Sequence, residues 1–539
     1  MSLKSTHFQR SFYHTSTLCD EMFDASDRYR LFREKILPRL FALRGKLASL
    51  YCDNNGRPAV DPVVLAGVTL LQFMEKASDR MAAEQVVYHL GWKYALDLEL
   101  SDGGFHPTVL VYFRDRLEEN KIERLLFDEI LELLVEAGLV KRTGKQRLDS
   151  THVLGYVKQM SRLECAVETL RLTLEALAKV VADTERPQFW ERLWTLYVQS
   201  QVDWRLSKAE REDRYRRCGQ DMAELLGWVE TNRSALGEVT EVKLLQRVFQ
   251  EQFELVEEKL QPQKNRAASG VQNPHDPQAH FADKRKTQWV GYKVHVVETV
   301  EPERTVKVKG EPGGHFITEM ITTAAAQDEM AGLTEALHRQ AQHEFKPEVI
   351  YADAGYITEN TLTQAEQNRF ELLGPTRPDP HHGPYNSDAF SVDVDKREAI
   401  CPQGNKNYQW SRIRDRYMGT EYYRIEWGSQ CDCCSIKSQC TRSKNGRRIL
   451  VVGLRHDLVQ KRRKEMKEAW FSKSMHPRNG IEGTHSELVR GHGMRRTKYR
   501  GLSRVSLSHY FMGAACNVKR YLNVLAFQMR QTALSPALG

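Results

Sequence analysis

Three acidic residues stand in local contexts suited to holding a cation: Asp149 in RLDSTHV, Asp353 in VIYADAGY and Glu482 in RNGIEG. The first two lie in or just after short apolar runs that read as buried strands, and the third follows a Pro and an Arg at a helix start. A carboxylate at a strand end is exposed yet rigidly held. Hard divalent cations such as Mg2+ or Mn2+ take oxygen ligands, and two ions about 3.5–4 Å apart can activate a water and stabilise the leaving oxygen of a phosphodiester. The chain has 71 acidic residues, most of them expected to be solvated surface charges. Context, not residue type, singles out these three as a metal-binding triad.

A second group with metal chemistry is a set of cysteines. Cys431 and Cys434 are two residues apart, Cys440 follows, and Cys401 lies upstream beside Pro402. Four thiolates with one such close pair can surround Zn2+ as a structural site, leaving Cys433 over; the alternative is a set of free thiols. No thioredoxin-like strand and helix flank the pair, so redox chemistry is not expected. Tyr408, Trp410, Tyr417, Tyr422, Tyr423 and Trp427 crowd the same region and are expected in its core, with stacking on an unpaired base as the other reading.

These residues need a scaffold, and 539 residues exceed one ordinary core, so two to four domains are expected. Hydrophobic residues at 41% and charged residues at 28% describe a folded globular protein. The net charge of +8 matters less than its distribution, because phosphate binding needs local basic surface. The densest basic stretch is Arg490, Arg495, Arg496, Lys498, Arg500 and Arg504, and a shorter run is Lys284, Arg285 and Lys286. No apolar run is long enough to span a bilayer, and His7, Arg10 and Asp20 interrupt any signal-peptide core. The other five cysteines are scattered singly, which fits a reduced compartment, and the cytoplasm is the expected location.

Residues 1–140 read as a helical N-terminal unit in which Arg114 and Arg116 are placed to touch phosphates, as in a helix-turn-helix DNA reader; a helical bundle for assembly is the alternative. A first strand, 146–157 within 141–159, carries Asp149. Residues 160–262 read as a helical, coiled-coil-like insertion, with one seam through Met160, Leu163, Val167, Leu170, Leu174, Leu177 and Val181 and another through Val242, Leu245, Phe249, Phe253, Val256 and Leu260. In 263–375, a loop to 287 gives way to strands, with a helix before and after the strand that ends at Asp353. Residues 376–452 form a Cys- and aromatic-rich insertion, and 453–539 are helical. The order predicts an α/β protein with a mixed sheet and flanking helices.

DST on a first strand, ADAGY at the end of a fourth, an Arg-x3-Glu element on a late helix and DPxAxF leading into VGYKVH together resemble the DDE transposases of bacterial insertion sequences. The resemblance covers nearly the whole chain and implies an RNase H-like core interrupted by both insertions. It implies that Asp149, Asp353 and Glu482 are catalytic, that Arg478, one turn before Glu482 on the same face, positions the helix or a phosphate, and that the Arg490–Arg504 tract clamps the transposon end. Related transposases often carry a Tyr three residues before that Arg and a Lys seven after the Glu; Met475 and Val489 stand there in this chain, with Arg490 adjacent. His152 is a further candidate substrate contact. The implied partners are double-stranded transposon-end and target DNA, with a homodimer or higher assembly and no membrane. Two other readings stay open: an RNase H-like nuclease that cuts without joining, and a non-catalytic transposase-derived repressor.

Overall fold

The computed structural model describes all residues except 1–2, 4–12, 53–55, 57, 201–205, 233, 285, 302–309, 380–383, 416–419 and 535–539. Its centre is a six-stranded mixed sheet. Strand β1 (Thr143–Leu154) is followed, after an excursion containing the short hairpin β2 (Phe253–Val256) and β3 (Lys259–Pro262), by β4 (His280–Lys284), β5 (Thr287–Thr299), β6 (Ile317–Ala324), β7 (Lys346–Tyr351) and β8 (Glu371–Leu373). The sheet order is β6, β5, β1, β7, β8, and β4 pairs with the start of β5. β1 runs antiparallel to β5 and parallel to β7, and β8 is parallel to β7. This is the mixed sheet with flanking helices that the sequence predicts.

The β5 sequence WVGYKVHVVE is buried over most of its length, because it lies between β1 on one side and β4 and β6 on the other. One sheet face packs on helices Glu329–Gln342 and Glu359–Gln367 through Leu148, Val297, Ile321, Leu333 and Leu362. The opposite face shares a single core with the N-terminal helices and the long helix Leu502–Leu534: Leu31, Trp92 and Phe127 belong to the same buried cluster as Val294, Phe316 and Phe511. Both excursions have cores of their own. The first packs helices Arg162–Leu177, Lys208–Asn232 and Thr240–Gln252, and the second contains β9 (Ser391–Asp393), β10 (Glu398–Ile400) and the sheet β11 (Gln409–Arg414), β12 (Glu421–Glu426), β13 (Ile449–Gly453).

The second expected seam is cut short. The helix stops at Gln252, and Phe253–Pro262 is the β2–β3 hairpin, whose turn residues Glu257 and Glu258 both have positive φ. That backbone fits the right-handed twist of a tight hairpin, and Val256 is accordingly exposed rather than in a seam. Lys284 lies in β4, not in a loop, while Arg285 falls outside the described residues. Among the aromatics of the second excursion, Trp427 is buried and Tyr408 is 75% exposed, against the core expectation; Tyr417 is outside the described residues. Among the described residues no helix is long and apolar enough to cross a membrane.

Buried imidazoles make this fold acid-sensitive. Burial holds His295 and His509 down to about 3, and His456 and His485 down to about 4. The unfolded chain protonates these rings near pH 6.5 while the folded chain does not, so stability is full above 6.5 and is lost as pH falls through the interval down to about 3. Each tenfold difference in proton affinity between the unfolded and folded chain corresponds to about 1.4 kcal/mol, so the urea midpoint is expected to fall steeply between pH 6.5 and 4.5. A flat midpoint across that range contradicts neutral burial of these rings.

Candidate active site

The site begins with register. Arg147 of β1 pairs with Tyr351 of the parallel strand β7, so two residues further along, Asp149 and Asp353 stand side by side at the same edge. The aspartates are therefore neighbours although 204 positions separate Asp149 from Asp353 in the chain. Burial, and then the charge of Asp353, push the Asp149 carboxyl up to about 6, with Arg478 pulling the other way. Arg478 donates from Nη2 to Asp149 Oδ2 at 3.2 Å. Each aspartate is also braced locally: Asp149 Oδ1 accepts from the Ser150 amide and Asp353 Oδ1 from the Gly355 amide, both at 2.8 Å. A side chain at Gly355 would press on Asp353 Oδ1 and Glu329.

Glu482 lies in the first turn of the helix Ile481–Gly491 and is exposed. The opposite side of that turn is docked: Thr484 Oγ1 donates to Glu298 Oε2 at 2.5 Å, and His485 lies against the backbone of Asp149. Gly480 permits this approach, since a Cβ there would overlap the Arg147 guanidinium. The helix thus docks on β1 and β5 through Thr484 and His485, while Glu482 itself faces solvent. The three acids are not contracted into a ligand set: among the described residues, the one trio of His, Cys, Asp or Glu with ligating atoms within 4.8 Å of one another is Glu487, His492 and Cys516.

Beneath the aspartates lies a network that composition and periodicity did not reveal. Tyr356 is fully buried, three residues past Asp353, and its hydroxyl bonds His295 Nδ1 at 2.7 Å; His295 Nε2 meets Thr323 Oγ1 at 3.0 Å. His295 sits opposite Ser150 across the β1–β5 ladder. The VGYKVH and ADAGY motifs were the available signal, but only the registers of β1 with β5 and with β7 bring them together. Glu329 is a further acid at the site, with Lys293 3.5 Å, Arg377 3.7 Å and Lys284 3.9 Å away. A cavity of about 320 Å3 opens beside Asp353, lined by Met466, Phe471, Met475, Arg478 and Asn479 among others.

The expected phosphate contacts divide into groups. Arg490, Arg496, Lys498 and Arg500 are exposed, as are Lys284 and Lys286. Arg495 is half-buried and donates to His152 O at 2.7 Å, fastening the basic tract to β1. Arg504 is paired with Asp115 at 2.8 Å and Glu118 at 3.0 Å. Arg114 does not serve as a phosphate contact: it is 6% exposed and its guanidinium is clamped bidentately by Asp79 at 3.0 and 2.5 Å, a structural ion pair that leaves little for DNA. Arg116 is half-buried over the Tyr51 ring. The DPxAxF motif positions the tract too, because buried Asp276 accepts from Tyr292 Oη at 2.7 Å and from the Gly501 amide at 3.2 Å. His152 packs its ring against Trp289.

Cys401, Cys431, Cys434 and Cys440 line one small cavity of about 20 Å3 with Phe390, Trp427 and Arg448, while Cys433 is exposed and outside it. The four cysteines singled out by spacing thus share one cavity, although no three of their sulfurs lie within 4.8 Å of one another.

Comparison with known proteins adds two family matches. Residues 400–522 match a transposase DDE domain, a span that holds the cysteine cluster and Glu482. Residues 18–116 match a transposase domain (DUF772) in the N-terminal helices. Asp149 and Asp353 lie between the two spans. No curated protein and no solved structure matches the chain. With transposase matches on both sides of the central sheet, one of them to a DDE domain, the comparisons support a DDE transposase of an insertion-sequence family.

Proposed function

We propose that this transposase cuts DNA at the ends of its element and joins the freed 3′-hydroxyl to target DNA, with Asp149, Asp353 and Glu482 holding Mg2+ or Mn2+ for a two-metal DDE mechanism. The observation that carries the reading is the pair of aspartates on adjacent parallel strands, crowded enough that burial and mutual repulsion raise Asp149. Such a pair is relieved by a divalent cation, so the donor set fits a hard metal. The sheet order, three antiparallel strands continued by two parallel ones, supports an RNase H-like core. When bound, the metal ions activate the attacking group and stabilise the leaving oxygen at phosphorus.

The protein's own residues have separate tasks in this reading. The Ser150 and Gly355 amides fix one oxygen of each aspartate, and the second oxygen of Asp149 is held by Arg478. Arg478 balances Asp149 and, on the rim of the adjacent cavity, is placed to meet a phosphate. Exposed Arg490, Arg496, Lys498 and Arg500, with Lys284 and Lys286, supply sequence-independent backbone contacts that weaken as salt rises. Two element ends must be held together, so a homodimer is the smallest assembly expected.

The test is incubation of the full-length protein with DNA carrying the ends of its element and Mg2+ or Mn2+. Covalently joined products support the transposase reaction. Nicks without joined products favour a nuclease, and end-specific binding without cleavage favours a repressor.

The four thiols that line this cavity would need only a small inward shift to hold a structural Zn2+, for which sulfur fills every position. Cys434→Ser is expected to lower the zinc content of purified protein by about one equivalent and to reduce its thermal midpoint. An unchanged zinc content removes this site.

A further inference from the structure

A different set of donors meets behind the Glu482 helix. The ligating atoms of Glu487, His492 and Cys516 lie within 4.8 Å of one another. Glu487 lies on the Ile481–Gly491 helix, His492 caps it, and Cys516 lies on the helix Leu502–Leu534. Cys516 is fully buried and His492 is 2% exposed. His492 Nδ1 bonds the Phe73 carbonyl at 2.8 Å, and because a carbonyl only accepts, that nitrogen carries the proton. The lone pair is therefore on Nε2, which is buried with no hydrogen-bond partner. An orphaned polar atom of this kind costs about 1–3 kcal/mol. A ring held through Nδ1–H to a carbonyl is also how proteins orient a metal-ligating imidazole.

We infer that Glu487, His492 and Cys516 form a second structural zinc site, tying the Glu482 helix to the C-terminal helix and, through Phe73, to helix Pro62–Met74. A thiolate, an imidazole and a carboxylate are the mixed donor set that Zn2+ takes and that Mg2+ or Ca2+ does not. Binding forms a Zn–S bond and releases the Cys516 thiol proton to solvent. Two cations adjoin the site. Arg520 donates to Glu487 Oε2 at 3.0 and 2.9 Å but is shared with Glu298 at 3.2 Å. Glu487 can keep that oxygen on the guanidinium while Oε1 turns to the metal. Lys519 is 3.6 Å from Oε1 and 42% exposed, so it can move to solvent. A cavity of about 1030 Å3 between the N-terminal helices and the basic tract reaches His492 and Gly493, which gives an ion a route in.

The experiment strips the full-length wild type, Cys516→Ala and Cys434→Ser with chelator, titrates Zn2+ and counts bound ions by native mass spectrometry. Cys516→Ala is expected to hold one zinc fewer than wild type, independently of Cys434→Ser. X-ray absorption at the zinc edge of the fully loaded wild type is expected to show nitrogen or oxygen ligands beside sulfur. The same zinc count in Cys516→Ala and wild type, or an all-sulfur environment in the loaded wild type, overturns the site. If Cys516→Ala does not fold, the wild-type absorption spectrum decides.

Discussion

Asp149→Asn should abolish DNA cleavage, by about 10^3-fold or more, while the metal-free protein stays at least as stable as wild type. The two halves of this result have one cause. In the folded chain Asp149 is largely buried beside Asp353, so replacing its charge with an amide of the same shape removes a repulsion and keeps the Ser150 brace. The same change removes an anionic metal ligand. If the metal site supplies several kcal/mol of transition-state stabilisation, about 4 kcal/mol corresponds to a factor of about 10^3. Cleavage of end DNA and a thermal melt in chelator check the two halves. Near-wild-type cleavage refutes the assignment of Asp149, and a large loss of stability would show that its role is structural. Asp353→Asn is expected to behave alike.

Glu298→Gln should have the largest effect on folding, about 3–5 kcal/mol. Glu298 is 0% exposed and carries three partners: Arg147 at 2.6 Å, Arg520 at 3.2 Å and Thr484 at 2.5 Å. Two guanidiniums on separate elements thus depend on one buried carboxylate, and an amide leaves both cations poorly compensated away from water. Because Arg147 and Thr484 join β1 to the Glu482 helix, activity should fall with stability. Urea unfolding of Glu298→Gln against wild type measures the effect; a change under about 1 kcal/mol would mean that water reaches this knot.

Much of the site could be read in the sequence because its signals are local. An apolar run ending in Asp, a Gly two residues later and a helix start before Glu482 each reflect backbone requirements within a few positions, and the mixed sheet followed from strand-length apolar runs separated by helical periodicity. Other features depended on distant partners. Arg114 looked available until Asp79, 35 residues away in the chain, took its whole guanidinium. The 25-residue helix Lys208–Asn232 has a strongly polar surface with pairs such as Asp213 and Arg217, and its periodic apolar positions are too sparse to announce it. The β2–β3 turn uses Glu257 and Glu258 at positive φ, where glycine or asparagine would have given a cue. The Tyr356, His295 and Thr323 chain needs the registers of β5 with β1 and with β6.

The core shared by the N-terminal helices, the sheet and helix Leu502–Leu534 has a consequence for how the chain is made. Phe127 and Val294 bury their apolar faces in the cluster that contains Phe511 and Val518, so that cluster cannot close until the ribosome has passed those positions. At about 5–20 residues per second, the N-terminal helices wait tens of seconds for their last partner. During that wait the nascent chain presents uncovered apolar surface, a demand on chaperones that the two excursions, each closing on its own core, do not share.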